Sequence, residues 1–348
     1  MSWGVTIPVE GFQDKRIYVW YDAVIGYLSA SKEWAAVVGQ PDAWEQWWRD
    51  EAARAYYFIG KDNIDFHTII WPGMLVGYGH GLNLPYDVPA NEYLNVEGRK
   101  LSKSRRWMIV MADALDRYAA DPWRYALAAS MPESTDVNFT WEEFVRRNNE
   151  ELVATWGNLA NRVLGFAFKR FEGKVPAPAA LNADDQAMLD AIQPAFDKVT
   201  AALEGVKIKQ ALGEAMALAH EANRYLNVKE PWKQIKTDPA AAATSVYVAL
   251  RVIDTLKILF APFLPFTCQA LHEQLGYDGE LFGRSYTETL QEAERSHLAM
   301  RYDASASQGH WSVSDLQPGQ ALREPKPLFL KLEPTVAEEE VERMTTSG

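Results

Sequence analysis

The 348 residues carry 35 Lys plus Arg against 47 Asp plus Glu, a net charge of −12, with 48% apolar and 24% charged residues. That balance excludes a disordered chain and disfavours a surface that coats nucleic acid everywhere, while leaving room for a local basic patch. The single cysteine, Cys268, excludes an internal disulfide and any zinc site needing two thiolates, and points to a reducing, cytoplasmic setting. No run of about 18 apolar residues suggests a membrane span. The start Met1-Ser2-Trp3-Gly4-Val5 lacks the basic and apolar regions of a secretory signal.

In chain order, Ile17-Tyr18-Val19-Trp20-Tyr21 reads as a strand and is followed by an Ala-rich helical pattern. Ala55-Tyr56-Tyr57-Phe58-Ile59 reads as a second strand ending at Gly60, and Ile64 to Val76 as a helix. Tyr93-Leu94-Asn95-Val96 reads as a third strand running into the turn Glu97-Gly98. This alternation predicts parallel βαβ units, whose ligands sit at the carboxyl ends of the strands. From about Ala112 the period changes. Val145, Leu152, Trp156, Leu159, Val163 and Phe166 share one helix face, and Ile208 to Leu226 and Val246 to Phe260 repeat the pattern. The fold class read here is α/β then all-α, with an antiparallel helical bundle as the second part. We divide the chain into 1–111, a connector 112–140 with Pro122 at a helix start, a bundle 141–285 and a tail 286–348. The tail is expected to be extended, docked through Leu328-Phe329-Leu330 and frayed at its Glu-rich end.

Three clusters can carry chemistry. Half of the ten residues from Glu97 to Arg106 are basic, and Lys100-Leu101-Ser102-Lys103-Ser104 interleaves ammonium and hydroxyl groups. Such a loop can close over phosphates. A solvated basic loop or an RNA-backbone patch is the plainer alternative. Trp20, Tyr21 and Tyr27 after the first strand, with Phe66, His67 and Trp71 after the second, either wall a small apolar pocket or form ordinary helix–sheet core. Asp22 and Asp62 can meet a ligand amine or ribose, or simply cap helices. In the bundle, Asn158 and Arg162 lie one turn apart and Trp232 follows Pro231. They can stack on unpaired bases, or be an exposed polar pair and a capping indole. Gly77-Tyr78-Gly79-His80-Gly81 follows a helix and lacks the third spaced glycine of a dinucleotide loop. Neither His220-Glu221 nor His272-Glu273 has the second histidine of a zinc helix.

Together these segments resemble the methionyl-tRNA synthetase family of class I aminoacyl-tRNA synthetases. Tyr18-Val19-Trp20-Tyr21-Asp22-Ala23-Val24-Ile25-Gly26-Tyr27 looks like that family's Y-V-W-x-D-A-P-I-G-Y. Phe58-Ile59-Gly60-Lys61-Asp62 with Phe66-His67 and Trp71-Pro72 looks like F-I-G-K-D…F-H…W-P, and Lys100 to Ser104 stands where the class has K-M-S-K-S. The resemblance covers roughly residues 3–275. It implies the second half of a Rossmann-like parallel-sheet nucleotide fold ahead of an anticodon-binding bundle, and ATP-dependent activation of methionine followed by transfer to methionine tRNAs, with Mg2+ as cofactor.

Trp20, Asp22, Ala23, Tyr27, Phe66, His67 and Trp71 are thereby assigned to methionine; Asp62, Lys100, Ser102, Lys103 and Ser104 to ATP; and Asn158, Arg162 and Trp232 to the anticodon. Lys100 and Lys103 are the implied catalytic pair. Val24 replaces the usual proline and Leu101 the usual methionine, both keeping apolar character. The family's H-I-G-H motif is absent from the 348 residues, as is its zinc knuckle, so zinc is not expected here. The chain alone is therefore expected to be inactive unless a separate N-terminal half associates, or to act as a non-catalytic anticodon-binding module.

Overall fold

A computed structural model describes residues 3–291 and 295–346; Met1, Ser2 and the last two residues of the predicted frayed end lie outside the described residues. The chain divides into two units. The first holds Met1–Leu94 and Pro132–Val137, and the second holds Asn95–Met131 and Asn138–Gly348.

The first unit departs from its predicted order at once. No strand forms at Ile17–Tyr21. Only Ile17 is held in extended pairing, donating to Val5 O at 2.8 Å, and the helix Val19–Val37 begins inside the expected strand. Trp20, Val24 and Leu28, spaced by four, face one core together with Ala35. That helical burial outweighs the β-propensity of the β-branched and aromatic residues. The second predicted strand survives as the short parallel pair Ile59–Gly60 with Ala90–Asn91, preceded by a bridge from Tyr56 to Asp87. This pair is parallel, as predicted, but only two residues long on each side, and Leu94–Val96 lies in a separate three-stranded sheet, beside Val137–Phe139, whose Val137 and Phe139 meet Tyr93 and Glu97 through backbone hydrogen bonds of 2.9 Å. The predicted helix after it is present but opens with a π-helical turn, Phe66–Ile70, before continuing as Trp71–Tyr78.

In the second unit, Asn95 and Val96 pair antiparallel with Lys100 and Arg99. Glu97 and Gly98 make the turn with φ of +49° and +71°, the two left-handed positions of a tight hairpin, which Gly98 adopts without steric cost. The bundle forms as expected. Trp141–Arg170 is helical throughout, with a π-helical stretch at Arg147–Gly157, and Ile208–Lys229 and Pro239–Phe260 are its longest α-helices. Leu152, Trp156, Leu159 and Val163 are buried in one core with Ala211, Ala215, Ala219 and Ala222 of the Ile208–Lys229 helix.

The described residues of the segment 286–346 are more ordered than an extended tail. They include most of the hairpin Arg284–Gln291 with Ser296–Asp303 and end in the helix Thr335–Thr346. Phe329 is buried as expected of the apolar knot, but Leu330 is exposed. The expected fraying is replaced by a docked helix because Glu340 is buried against Arg117 and Tyr118, and Met344 against Trp141.

Candidate functional site

The first unit gathers the aromatic residues from two distant segments. Trp20 stacks on Phe66 with ring centroids 4.1 Å apart. His67 is buried; its Nδ1 is 2.9 Å from the Asn63 carbonyl, which can only accept, so that nitrogen carries the hydrogen. In the neutral ring Nε2 then accepts from the Tyr27 hydroxyl at 2.8 Å. Tyr27 also meets Trp71, which is buried and donates its indole N–H to the Tyr57 hydroxyl at 3.0 Å. The π-helical turn carries Phe66 and His67 and delivers Trp71 at its end. Asp22 and Ala23 lie exposed in the first turn and a half of the Val19–Val37 helix, beside Trp20 in sequence. The result is a wall of rings crossed by two hydrogen-bonded lines, Tyr27–His67–Asn63 and Trp71–Tyr57, suited to an apolar side chain with a polar atom in it.

Asp62 is placed differently. It sits in the 3-10 turn Lys61–Asn63 and accepts from the Tyr93 hydroxyl at 2.6 Å, so its carboxylate is held by a side chain and caps no helix. Lys61 lies 4.1 Å from the Tyr93 ring centroid and donates to Glu92 and, at 3.1 Å, to Asp136. These carboxylates hold the Lys61 ammonium above its ordinary pKa. Tyr57, Lys61 and Tyr93 were not singled out from the sequence. A tyrosine in or beside a strand reads as core, and only its partner across the fold marks it otherwise.

The second unit holds the other two clusters. Lys103–Arg106 is a turn closed by mutual backbone hydrogen bonds between Ser102 and Trp107, each 2.9 Å. The Trp107 indole anchors that closure by donating to Val96 O at 3.0 Å, and the Arg99 guanidinium lies 4.5 Å from its ring. Ser102 and Ser104 share a hydrogen bond of 3.2 Å, while Lys100 and Lys103 are exposed. A cavity of about 360 Å³ beside the loop is lined by Lys103, Arg106, Arg117 and Arg343, with Asp113 and Glu340 among the other residues. Glu340 takes two of these cations, Arg117 and Arg343, in ion pairs, and Lys103 and Arg106 belong to the basic loop itself.

In the bundle, the Arg162 guanidinium lies 4.6 Å from the Trp232 ring centroid, and its Nη2 donates to Asn223 Oδ1 at 3.4 Å. Burial lowers the Arg162 pKa. Asn223 is itself fixed, donating to the Thr155 and Ala219 carbonyls. Asn158 is exposed one turn before Arg162 on the same helix. So the fold joins Arg162 to Trp232 directly, leaves Asn158 open beside them, and adds Asn223, which the sequence reading missed.

Among the described residues no group of three His, Cys, Asp or Glu is placed to hold a metal, and no helix is long and apolar enough to cross a membrane. Residues 1–164 match the family described as "tRNA synthetases class I (M)", and residues 175–303 match "Anticodon binding domain of methionyl tRNA ligase". The methionine–tRNA ligase of Thermomicrobium roseum is 53% identical over 346 residues, 99% of this chain and 59% of that protein. That of Dehalococcoides mccartyi strain CBDB1 is 48% identical over 344 residues, 57% of its length. Among solved structures, Mycobacterium tuberculosis methionyl-tRNA synthetase bound by methionyl-adenylate superposes with a TM-score of 0.76 at 27% identity, covering 95% of this chain and 59% of that one.

Proposed function

The chain belongs to the methionyl-tRNA synthetase family, and from that premise we propose that its residues serve ATP-dependent activation of methionine and its transfer to tRNA. The chain spans about 59% of the length of the T. roseum relative, so the activity is proposed for the protein that contains these residues. The observation that carries the reading is the ring wall itself. Trp20 and Phe66 in a stack, with the Tyr27 hydroxyl on His67 and the Tyr27 ring beside Trp71, are the rings that would wall the thioether side chain. Asp22 and Ala23 border it at the amino-group end, and Asp62 serves the ribose.

In the reaction, the methionine carboxylate attacks the α-phosphorus of ATP and pyrophosphate leaves. Lys100 and Lys103 offset the charge that develops on the phosphate oxygens, and the Ser102 and Ser104 hydroxyls add hydrogen bonds. A ribose hydroxyl at the tRNA end then attacks the acyl carbon and AMP leaves. Mg2+ would arrive on the nucleotide's phosphates. Residues 1–111 would supply this chemistry, 112–140 connect and 141–285 read the anticodon, with 286–348 as the carboxyl-terminal tail. An H-I-G-H segment, absent from the 348 residues, would complete the phosphate site from the same polypeptide or a separate one.

Lys103→Ala, tested in a protein that also carries that segment, should lower methionine-dependent ATP–pyrophosphate exchange by about 100-fold or more. Unchanged exchange would remove Lys103 from the mechanism. A second reading, an anticodon-binding module without catalysis, is favoured by the Arg162–Trp232 pair, which stands on the bundle's own core. It predicts that the chain alone retards methionine tRNA in a gel more than a non-cognate tRNA, whereas a merely basic loop would bind both alike.

A further inference from the structure

Asp185 and Lys229, two buried charges far from the basic loop in sequence, have no part in the function proposed above. The helix Ile208–Lys229 ends at Glu230, whose φ of +43° and ψ of +57° are left-handed. That conformation is unfavourable for a residue with a Cβ, and proline at the next position crowds it further. Pro231 and Trp232 follow directly, so the angle at this joint decides where the indole goes. On the exit side the joint is held by Lys233 and Gln234, whose N–H groups donate to Glu230 O at 2.8 and 3.0 Å.

On the helix side the fixing comes from a buried ion pair. Lys229 is 7% and Asp185 2% exposed, with Nζ 2.8 Å from Oδ1. Asp185 also accepts from the Tyr225 hydroxyl at 2.7 Å and from the Asn182 N–H at 3.0 Å, which makes it part of the cap of the Ala183–Asp190 helix. Packing alone does not call for such a pair, because apolar residues of equal volume commonly serve stability as well or better. What the pair adds is register. One carboxylate ties the last turn of the long helix, at Tyr225 and Lys229, to the start of another helix, and leaves Glu230 as the place where the chain turns. Trp232 then lands half-buried on the bundle core with the Arg162 guanidinium 4.6 Å from its ring centroid.

We propose that Asp185 and Lys229, with Tyr225, are positioning residues that set Trp232 against Arg162 and thereby sharpen anticodon discrimination; this rests on the reading of the bundle as the anticodon-binding part. The test uses the 348-residue chain and measures its affinity for methionine tRNA and for a non-cognate tRNA. Lys229→Met should weaken cognate binding about tenfold while leaving non-cognate binding unchanged, and should add less than about twofold in a Trp232→Ala background.

An equal loss in the Trp232→Ala background, or full cognate affinity in a folded Lys229→Met protein, overturns the proposal. If Lys229→Met fails to fold because Asp185 is left buried and unpaired, the Asp185→Asn/Lys229→Gln double variant removes both charges, and the same two outcomes apply to it. A wild-type chain that does not distinguish the two tRNAs, with Trp232→Ala silent, overturns the anticodon reading and the proposal with it. Intact discrimination that is sensitive to Trp232 but not to Lys229 overturns the proposal alone.

Discussion

His272, which opened a discarded zinc pattern in the sequence, is packed into a charged cluster. It is 3% exposed, its Nδ1 is 3.4 Å from Lys257 Nζ, and its ring stacks on Tyr277. Lys257 is paired with Asp254 at 2.6 Å, and the Tyr277 and Ser314 hydroxyls donate to the same carboxylate. Burial first, and then the Lys257 charge, push the His272 pKa down to about 4. An unfolded histidine takes up its proton near 6.5, so between those values the unfolded chain binds more protons than the native one. Stability should therefore fall as pH is lowered from about 7 to 4, by up to about 3 kcal/mol from this residue. Urea midpoints at pH 7 and pH 4.5 should differ less in His272→Phe than in the wild type; equal differences would contradict the assignment. At this scale the motifs named Trp20 and Phe66, which the fold stacks together, and Lys103, which stands exposed on its loop. Tyr57, Tyr93 and Asn223 were not legible, because each is defined by a partner far off in the chain.

Among elements, the bundle helices were readable because burial on one face imposes a period of 3.6 that a single sequence displays. The Val19–Val37 helix was misread at its start, where Tyr18-Val19-Trp20 carries β-propensity and the spacing of Trp20, Val24 and Leu28 is the quieter signal. The helix Thr335–Thr346 was hidden for another reason. Its sequence is acidic, and the residue that docks it finds its partners more than 200 positions away. Glu340 is 2% exposed and accepts from Arg117 Nε and Nη2 at 2.7 and 2.8 Å and from the Tyr118 hydroxyl at 2.9 Å. Burial and this carboxylate together push the Tyr118 pKa up to about 12. Glu340→Ala should cost about 1–2 kcal/mol, because the partly exposed Arg117 guanidinium and the half-buried Tyr118 hydroxyl lose their acceptor. Hydrogen exchange over 335–346 should then accelerate while the Pro239–Phe260 helix keeps its protection. An unchanged rate in the terminal helix would show that the ion pair does not hold it.

Across the whole molecule, the two units have unequal cores. The first unit's buried apolar cluster is Val24, Ala35, Trp44, Trp48, Tyr57, Trp71, Leu75 and Leu82, whereas the second unit's runs through every long helix of the bundle. A small core stabilises less than a large one, so unfolding should proceed in two steps, the first unit at lower denaturant. Indole fluorescence, with Trp44, Trp48 and Trp71 all in the first core, should begin to change before helical ellipticity does. Superimposable curves would mean one cooperative transition. The first unit is also interrupted, since residues 95–131 belong to the second and the chain returns for Pro132–Val137. Asp136 in that return accepts from Lys61 Nζ and from the Tyr93 N–H. During synthesis at about 5–20 residues per second, the 75 positions between Lys61 and Asp136 take roughly 4–15 s to make. The amino-terminal unit therefore emerges from the ribosome incomplete, and the segment bearing the basic loop is already outside before the last piece of that unit arrives.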